Sequence, residues 1–584
     1  MAAVAKQWHL LPHQDDAIRR LAAEIRVPAV VAQLLLNRHV TDPAEALRFL
    51  ESPLAGLHAP NRLPGMNAAV DRITDAIRNR DLIRVFGDYD ADGVTGTAIL
   101  IRLIEQLGGK ADFYVPHRLD EGYGLNIEAI QQAKASGVAL MITVDCGITA
   151  IAEAEEALRI GLDLIVTDHH EMLDDIPNAT AVVHPRLPGD YPFGGLSGSG
   201  VAFKLAWAVA QRFSASDKVT PELREFLLDA VGLGALGLVA DVVPLRDENR
   251  ICVKHGLKRI AEKPSLGLKA LIEVVGLKGA AIKAEDVSFK IAPRLNAAGR
   301  LGCAMLVVEL LTTKSATRAH DLAECLNGYN QQRQSIERKI GIQAREMIEA
   351  EGFANDAALV LGSPEWHQGV IGIVAGRLAD QYARPVILLA LKANDAASSG
   401  SGRSIPGVEL HMALRACDEH LLGHGGHAMA AGVKLRPSKL ADFRAAFNDY
   451  VRQQFPDGTP APRLVIDAEV PLMALTFGLL KDIDKLEPYG ADNPRPKLLA
   501  TDLTLEGPPK KIGTNEQHLS FRVRQQSIKM RAVAFGMGDR YDELVSAGGI
   551  CSVVFTPKIN EWNGYRSIEM EVIDFRPVRN PDLV

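Results

Sequence analysis

LIRVFGDYDADGV, Leu82 to Val94, runs an apolar segment into three alternating aspartates, Asp88, Asp90 and Asp92. A helix-forming segment, Val94 to Leu107, follows. The acids therefore sit in a strand-to-helix turn. In an open α/β sheet that turn faces the crevice at the carboxyl ends of the strands, where ligands bind. Like charges this close repel, which solvent or an enclosed cation makes tolerable. A calcium loop of the EF-hand type fits at Asp88, Asp90, Asp92 and Gly93, but its bidentate glutamate position is Ile99 and the preceding flank reads as strand. The EF-hand is rejected. A solvated acidic turn is the plain alternative, and recurrence of the pattern weighs against it.

From about residue 80 to 245 short apolar strands alternate with helices, which predicts a parallel sheet. Ala139 to Val144 ends on Asp145, followed by Cys146-Gly147. Leu162 to Thr167 ends on Asp168, His169 and His170. Asp241 lies inside the apolar run Leu236 to Pro244, where a charge is expensive unless something pairs with it. One strand-end acid is commonplace, and a His-His pair alone reads equally well as capping or core histidines. Together they suit a cation. Carboxylates with imidazole fit Mn²⁺ best; Mg²⁺ is compatible and Zn²⁺ less so, given the excess of oxygen.

The 584 residues exceed a single core, so about three or four domains are expected. Hydrophobic content of 47% and charged content of 23% describe a globular chain. A net charge of −7 excludes a globally basic nucleic-acid coat, so contact with a polyanion must use local patches or metal ions. The six cysteines form no CxxC pair, which supports neither a zinc knuckle nor a disulfide framework and fits a reducing, cytoplasmic setting. No apolar signal core, membrane-length apolar run or GxxxxGK[ST] loop occurs, so neither a membrane partner nor a P-loop motor is expected.

Taken in order, residues 1–60 read as a helical lead-in, with Asp42-Pro43-Ala44-Glu45 as N-cap, first-turn proline and capping-box partner. Residues 61–250 carry the parallel sheet and 251–351 a helical region. Its last part, 315–351, forms one long helix with an apolar stripe at Leu322, Leu326, Tyr329, Ile336, Ile340 and Met347, a strut between two lobes. Residues 352–450 start a second α/β lobe, with strands at Ala357–Gly362 and Val386–Leu391 and a helix at His367–Leu378. Ser401-Gly402-Arg403 and His424 to His427 are expected as loops, whose glycines let backbone approach a ligand or merely turn. Residues 460–577 hold five or six strands with period-two alternation and a hairpin signal at Asn563-Gly564, which suits a small barrel. Lys510, Lys511, Arg522, Arg524, Lys529 and Arg531 form a basic set there; Trp562 and Tyr565, flanking the turn, are the better base-stacking candidates among its aromatics.

GDYDADG at Gly87–Gly93, VDCG at Val144–Gly147, the Asp168-His169-His170 triplet and VADVVPL at Val239–Leu245 resemble motifs I to IV of the DHH phosphoesterase superfamily. PRLNAAGR at Pro293–Arg300, GVIGIVAGR at Gly369–Arg377, Ser401-Gly402-Arg403 and Gly425-Gly426-His427 resemble the RecJ family of single-strand-specific exonucleases within it. The ordered similarity covers roughly residues 50 to 577. It implies an α/β DHH domain on a parallel sheet, a smaller DHHA1-like α/β lobe and a C-terminal all-β OB-fold. It implies a 5′→3′ exonuclease that releases mononucleotides from single-stranded DNA in repair and recombination, with one or two Mn²⁺ or Mg²⁺ ions. Polarity comes from the resemblance alone.

Carried over position by position, the resemblance gives Asp90, Asp92, Asp145, His169 and Asp241 as metal ligands, with Asp145 bridging. Asp88 supports them, His170 faces the scissile phosphate and Asp168 orients the histidines. Arg118, Ser401 and Arg403 form a pocket for a 5′ phosphate. Arg300 is a phosphate contact or an interlobe salt bridge, and His427 belongs to a loop that holds nucleic acid. A single-strand-binding protein and a recombination helicase are the implied partners of a monomer. Many relatives place histidine four residues before the acid matching Asp90; here Phe86 stands there, so one metal site is expected to be a ligand short. Two rivals remain open: a DHH phosphodiesterase on short oligonucleotides or cyclic dinucleotides, and a non-catalytic replication scaffold of the same fold.

Overall fold

The structure, a computed structural model, describes residues 6–118, 120–546, 549–562 and 564–577. The chain divides into two compact units, one of His58–Val243 and His255–Ala461 and one of residues 6–57, 244–254 and 462–577.

The first unit is built on five parallel strands in the order Lys110–Tyr114, Leu82–Gly87, Val138–Val144, Asp163–Thr167, Ala181–Val183. The first strand in sequence thus lies between the second and the third. Connections leave it in opposite directions across the sheet, and the carboxyl ends of the first and third strands open a crevice at that switch point. Ile83, Val85, Leu140, Met141 and Ile142 are fully buried, as expected of strands covered on both faces. Helices Ala91–Gln106, Gly198–Ser214 and Pro221–Ala240 pack together beside the sheet. Asp241 caps the last of these, so its apolar surroundings belong to a helix end and not to a strand.

Phe86 is fully buried and stacks on Tyr114 at 5.6 Å, in a core with Ile130, Met141 and Cys146. A histidine there would lose this packing. Phe86→Ala should cost about 3–5 kcal/mol in a urea unfolding curve; a loss under about 1 kcal/mol would place the ring outside the core.

Helix Ala316–Ala350 spans 35 residues. It packs on helix Leu266–Val274, and its Ile340, Ala344 and Ile348 enter the core of the second lobe. That lobe is a five-stranded sheet in the order Gly423–Gly426, Ala430–Leu435, Ser398–Arg403, Val386–Ala390, Leu359–Ser363. Two readings change here. The helix begins at Ile371 and not at His367, and both glycine-rich segments expected as loops are strands. Glycine disfavours strands on its own, but pairing with Val386–Ala390 and Ala430–Leu435 overrides that preference.

In the second unit Leu498–Leu505, Ile550–Trp562, Tyr565–Arg576, Ile528–Ala534 and His518–Gln525 pair in succession, and Leu498–Leu505 also pairs with His518–Gln525, which closes a barrel. The lead-in is not helical throughout: Gln7–Leu10 is a strand parallel to Arg463–Ile466. Asp42 caps helix Pro43–Glu51 by accepting from the Glu45 amide at 2.8 Å. Ile18, Leu21, Leu34 and Leu35 share one core with Leu498, Val523 and Phe555, so lead-in and barrel are a single packed body.

Candidate metal centre

Leu82–Gly87 and Val138–Val144 are hydrogen-bonded neighbours, so the acids that follow them emerge side by side. Asp90 caps helix Ala91–Gln106, its Oδ1 accepting from the amides of Asp92 at 2.9 Å and Gly93 at 3.1 Å. The Ala91 amide is taken by Asn296 Oδ1 at 2.7 Å. Asp92 turns to the start of helix Gly198–Ser214, where the hydroxyls of Ser197 and Ser199 and the amides of Gly198 and Ser199 donate to it over 2.5 to 3.1 Å.

Asp145 has φ of +65°, a left-handed backbone that costs energy for a residue with a side chain. The next strand holds it there, through its amide to Thr167 O at 3.0 Å. Asp168 Oδ1 accepts from the amides of His169 at 2.7 Å and His170 at 3.1 Å and from His170 Nδ1 at 2.7 Å. Its Oδ2 takes the Ile148 amide at 2.9 Å. Tyr123 Oη donates to Asp145 O at 3.1 Å and lies 3.2 Å from His170 Nδ1.

Three sets of potential ligand atoms result, each set lying within 4.8 Å: Asp88, Asp90 and Asp145; Asp145, His169 and His170; Asp92, His169 and Asp241. Asp145 and His169 each belong to two sets. Acids and imidazoles from four separate segments therefore meet at one end of the sheet.

The crowding has an electrostatic cost. Burial first, and then neighbouring carboxylates, push Asp88 and Asp145 well above the usual carboxylate range and raise Asp90 as well. The same causes raise Asp241 to about 8. Burial lowers the His169 pKa. For His170 burial also lowers it, but the Asp168 hydrogen bond and charge outweigh this and bring it up to about 9. Asp168 is raised by burial and held below its ordinary value by His170 and its backbone donors.

Among the described residues, Asp88 Oδ1, Asp145 Oδ1 and His169 Nε2 are buried with no hydrogen bond. His169 Nε2 is 3.1 Å from Asp145 Oδ1 and 3.5 Å from Asp241 Oδ2, but misses hydrogen-bond geometry to both. Unsatisfied oxygens and an unsatisfied imidazole nitrogen among repelling acids fit a hard divalent cation of the Mn²⁺ or Mg²⁺ type.

Beside the acids lies a cationic group. The Arg118 guanidinium sits 4.7 Å from the Tyr89 ring centroid. Arg403 Nη1 donates to Ser401 Oγ at 3.1 Å and Gly402 O at 2.7 Å. Arg300 donates to Gly369 O at 3.0 Å, joining the two lobes through a carbonyl and not through a salt bridge. Burial, then the charges of Arg118, Arg333 and Arg403, lower the Arg300 pKa to about 10. Burial and Arg118 lower that of Arg403. Among the described residues none of the three guanidiniums has a carboxylate within ion-pair distance, an arrangement that receives an anion. His427 is exposed just after Gly423–Gly426.

On the barrel, Tyr565 is 83% exposed at the tip of its hairpin. The Trp562 side chain and Asn563 lie outside the described residues. Half of the expected basic set is already paired: Arg524 and Lys529 with Glu506, Arg531 with Glu569. Phe521 is core, whereas Phe535 is 56% exposed and meets His518 edge-on. From sequence Phe535 was weighed as a stacking candidate below Trp562 and Tyr565, and no role was given to Asn296, Tyr123 or the Ser197-Gly198-Ser199 turn. Of these only the last carried a signal, serine directly before a helix.

Three regions of the chain match known families. Residues 82–234 match the DHH family, N-terminal domain, 355–453 the DHHA1 domain and 466–574 the RecJ OB domain. The single-stranded-DNA-specific exonuclease RecJ of Bacillus subtilis (strain 168) is 36% identical over 98% of this chain and 71% of its own length. Crystal structures of RecJ from Thermus thermophilus superpose with a TM-score of 0.83 in complex with Mn²⁺ and 0.77 in complex with Mg²⁺. The first is 33% identical and covers 99% of this chain and 80% of that one. The second is 32% identical and covers 99% and 79%.

Proposed function

The chain belongs to the RecJ family of DHH phosphoesterases, and from that premise we propose that it is a metal-dependent exonuclease acting on single-stranded DNA, with Mn²⁺ or Mg²⁺ as cofactor. The observation that carries this is the meeting of Asp88, Asp90, Asp92, Asp145, His169, His170 and Asp241 at the switch point of the sheet. The finer reading is 5′→3′ removal of mononucleotides in repair and recombination. It includes action as a cytoplasmic monomer, alongside a single-strand-binding protein and a recombination helicase. Among the described residues no helix is long and apolar enough to cross a membrane.

In this reading Asp90, Asp92, Asp145, His169 and Asp241 would hold the cofactor ions, and Asp145 belongs to two of the three ligand sets. Asp88, whose Oδ1 has no hydrogen bond and lies with Asp90 and Asp145, joins them directly. The bound cations would lower the pKa of the attacking water and neutralise the departing oxygen. Asp168 fixes the His170 ring through Nδ1, which in this reading orients it toward the phosphate. Arg118, Ser401 and Arg403 take the terminal phosphate and set the distance to the scissile bond; positioning of this kind carries much of the rate.

The test uses 5′- and 3′-labelled single strands, a duplex and a dinucleotide, each with Mn²⁺ and with chelator. Metal-dependent release of mononucleotides from the 5′ end of the single strand is expected. Turnover of the dinucleotide alone, or binding without turnover, would overturn the assignment. Arg403→Ala should slow cleavage of 5′-phosphorylated strands about ten-fold more than that of 5′-hydroxyl strands, the worth of one charged hydrogen bond. Equal losses on both would remove Arg403 from the pocket.

A further inference from the structure

Helices Ala316–Ala350 and Ile371–Tyr382 enclose a cavity of about 390 Å³ away from the acid cluster. Gln334, Glu337, Arg338 and Arg345 line it from the first helix, Arg377 and Gln381 from the second. The spacing on each helix is three, four or seven residues, so each set occupies one face. Val374 and Leu378 form a buried apolar floor. Small-molecule sites run from about 300 to 1,000 Å³, and this cavity falls at the lower end.

Its charge is one-sided. Among the described residues, Arg338 and Arg345 find no side-chain hydrogen-bond partner and no carboxylate within ion-pair distance. Arg377, its side chain 72% exposed, is tethered by Glu337, whose side chain is only 4% exposed; the other oxygen of Glu337 takes Arg333. The buried acid of the lining is therefore matched twice, by Arg333 and Arg377, and two further guanidiniums remain. Gly341 has no side chain to fill the space beside the Arg345 guanidinium, which would lie 3.6 Å from a Cβ placed there.

The terminal-phosphate cluster packs on another face of the same helix, Ile371–Tyr382. Arg333 is among the charges that depress Arg300. Gly372 and Gly376 face the Arg403 side chain, and Arg377 is the next residue.

We propose that this cavity is a second, non-catalytic site for a nucleotide phosphate, with Arg338, Arg345 and Arg377 on the phosphate and the Val374–Leu378 floor under sugar or base. The phosphate comes from a released mononucleotide or from the strand itself. The proposal takes its ligand class from the nuclease reading, and its test does not need turnover.

Full-length protein in chelator is titrated by calorimetry with thymidine 5′-monophosphate, and separately with a single strand whose 5′ end is blocked. Arg338→Gln/Arg345→Gln, both away from the acids, should weaken one of these ligands about ten-fold or more. Arg403→Ala should leave that component in place. Loss confined to the mononucleotide identifies a product site; loss confined to the strand identifies a strand contact. Unchanged isotherms for both ligands in the double variant overturn the proposal, whatever the exonuclease assay gives. Arg338→Gln/Arg345→Lys, which keeps the charge at 345, should bind more tightly than the double Gln variant; no recovery would also overturn the proposal.

Discussion

Asp145→Ala should reduce cleavage of single-stranded DNA by on the order of 10³-fold or more while DNA affinity changes little. The carboxylate belongs to two of the three ligand sets, and its Oδ1 is buried without a hydrogen bond. On the proposed function its loss would disturb two of those ligand sets at once and leave untouched the arginines proposed for the phosphate. Alanine at φ +65° adds backbone strain of about 1–2 kcal/mol. Asparagine tolerates that backbone better and has nearly the same shape. Asp145→Asn is thus the sharper probe: equal loss of turnover, with thermal stability in chelator no lower than wild type, because one of several crowded charges is gone. Near-normal single-turnover rates in either variant would refute a metal role for Asp145.

The second large effect is at a residue with no chemistry of its own. A Cβ on Gly198 would lie 2.5 Å from both Cβ and Oδ1 of Asp145. The Gly198 amide also donates to Asp92 at 2.6 Å. Neither neighbour can retreat, since Asp145 is tied to Thr167 and Asp92 is held by four donors. Gly198→Ala should therefore displace two carboxylates that between them belong to all three ligand sets, and lower kcat by about 10²-fold, the cost of misplacing reacting groups by roughly 1 Å. Overpacking should cost about 1–3 kcal/mol besides. A variant that is destabilised yet fully active per folded molecule would show that the centre tolerates the shift. Gly237 is placed alike, with a Cβ 2.3 Å from Asp92 Oδ1.

These glycines mark where sequence reading stopped. Asp88, Asp90, Asp145, Asp168 and the histidines were legible because each follows an apolar strand, and a strand end is a local signal. Asp241 was legible as a charge in an apolar run, although its element proved to be a helix. The closeness of Gly198 and Gly237 to acids far away in the chain leaves no local trace. The same holds for Asn296 Oδ1 at the Ala91 amide, separated from it by 205 positions. Ser398–Arg403 and Gly423–Gly426 were expected as loops for the opposite reason: their local preference is real, and partner strands overrule it.

By itself the chain dictated its alternating strands and helices, the acids that end those strands, the 35-residue strut and the closing β region. All of these rest on interactions between residues near one another in sequence, where periodicity, capping and turn chemistry act. Only tertiary structure decided that the first strand lies between the second and third, so that Asp88 and Asp145 meet. It alone joined the lead-in to the barrel core and gathered arginines from two helices around one cavity. Such contacts depend on which surfaces bury each other and how tightly they close, and that is settled by packing of the whole chain.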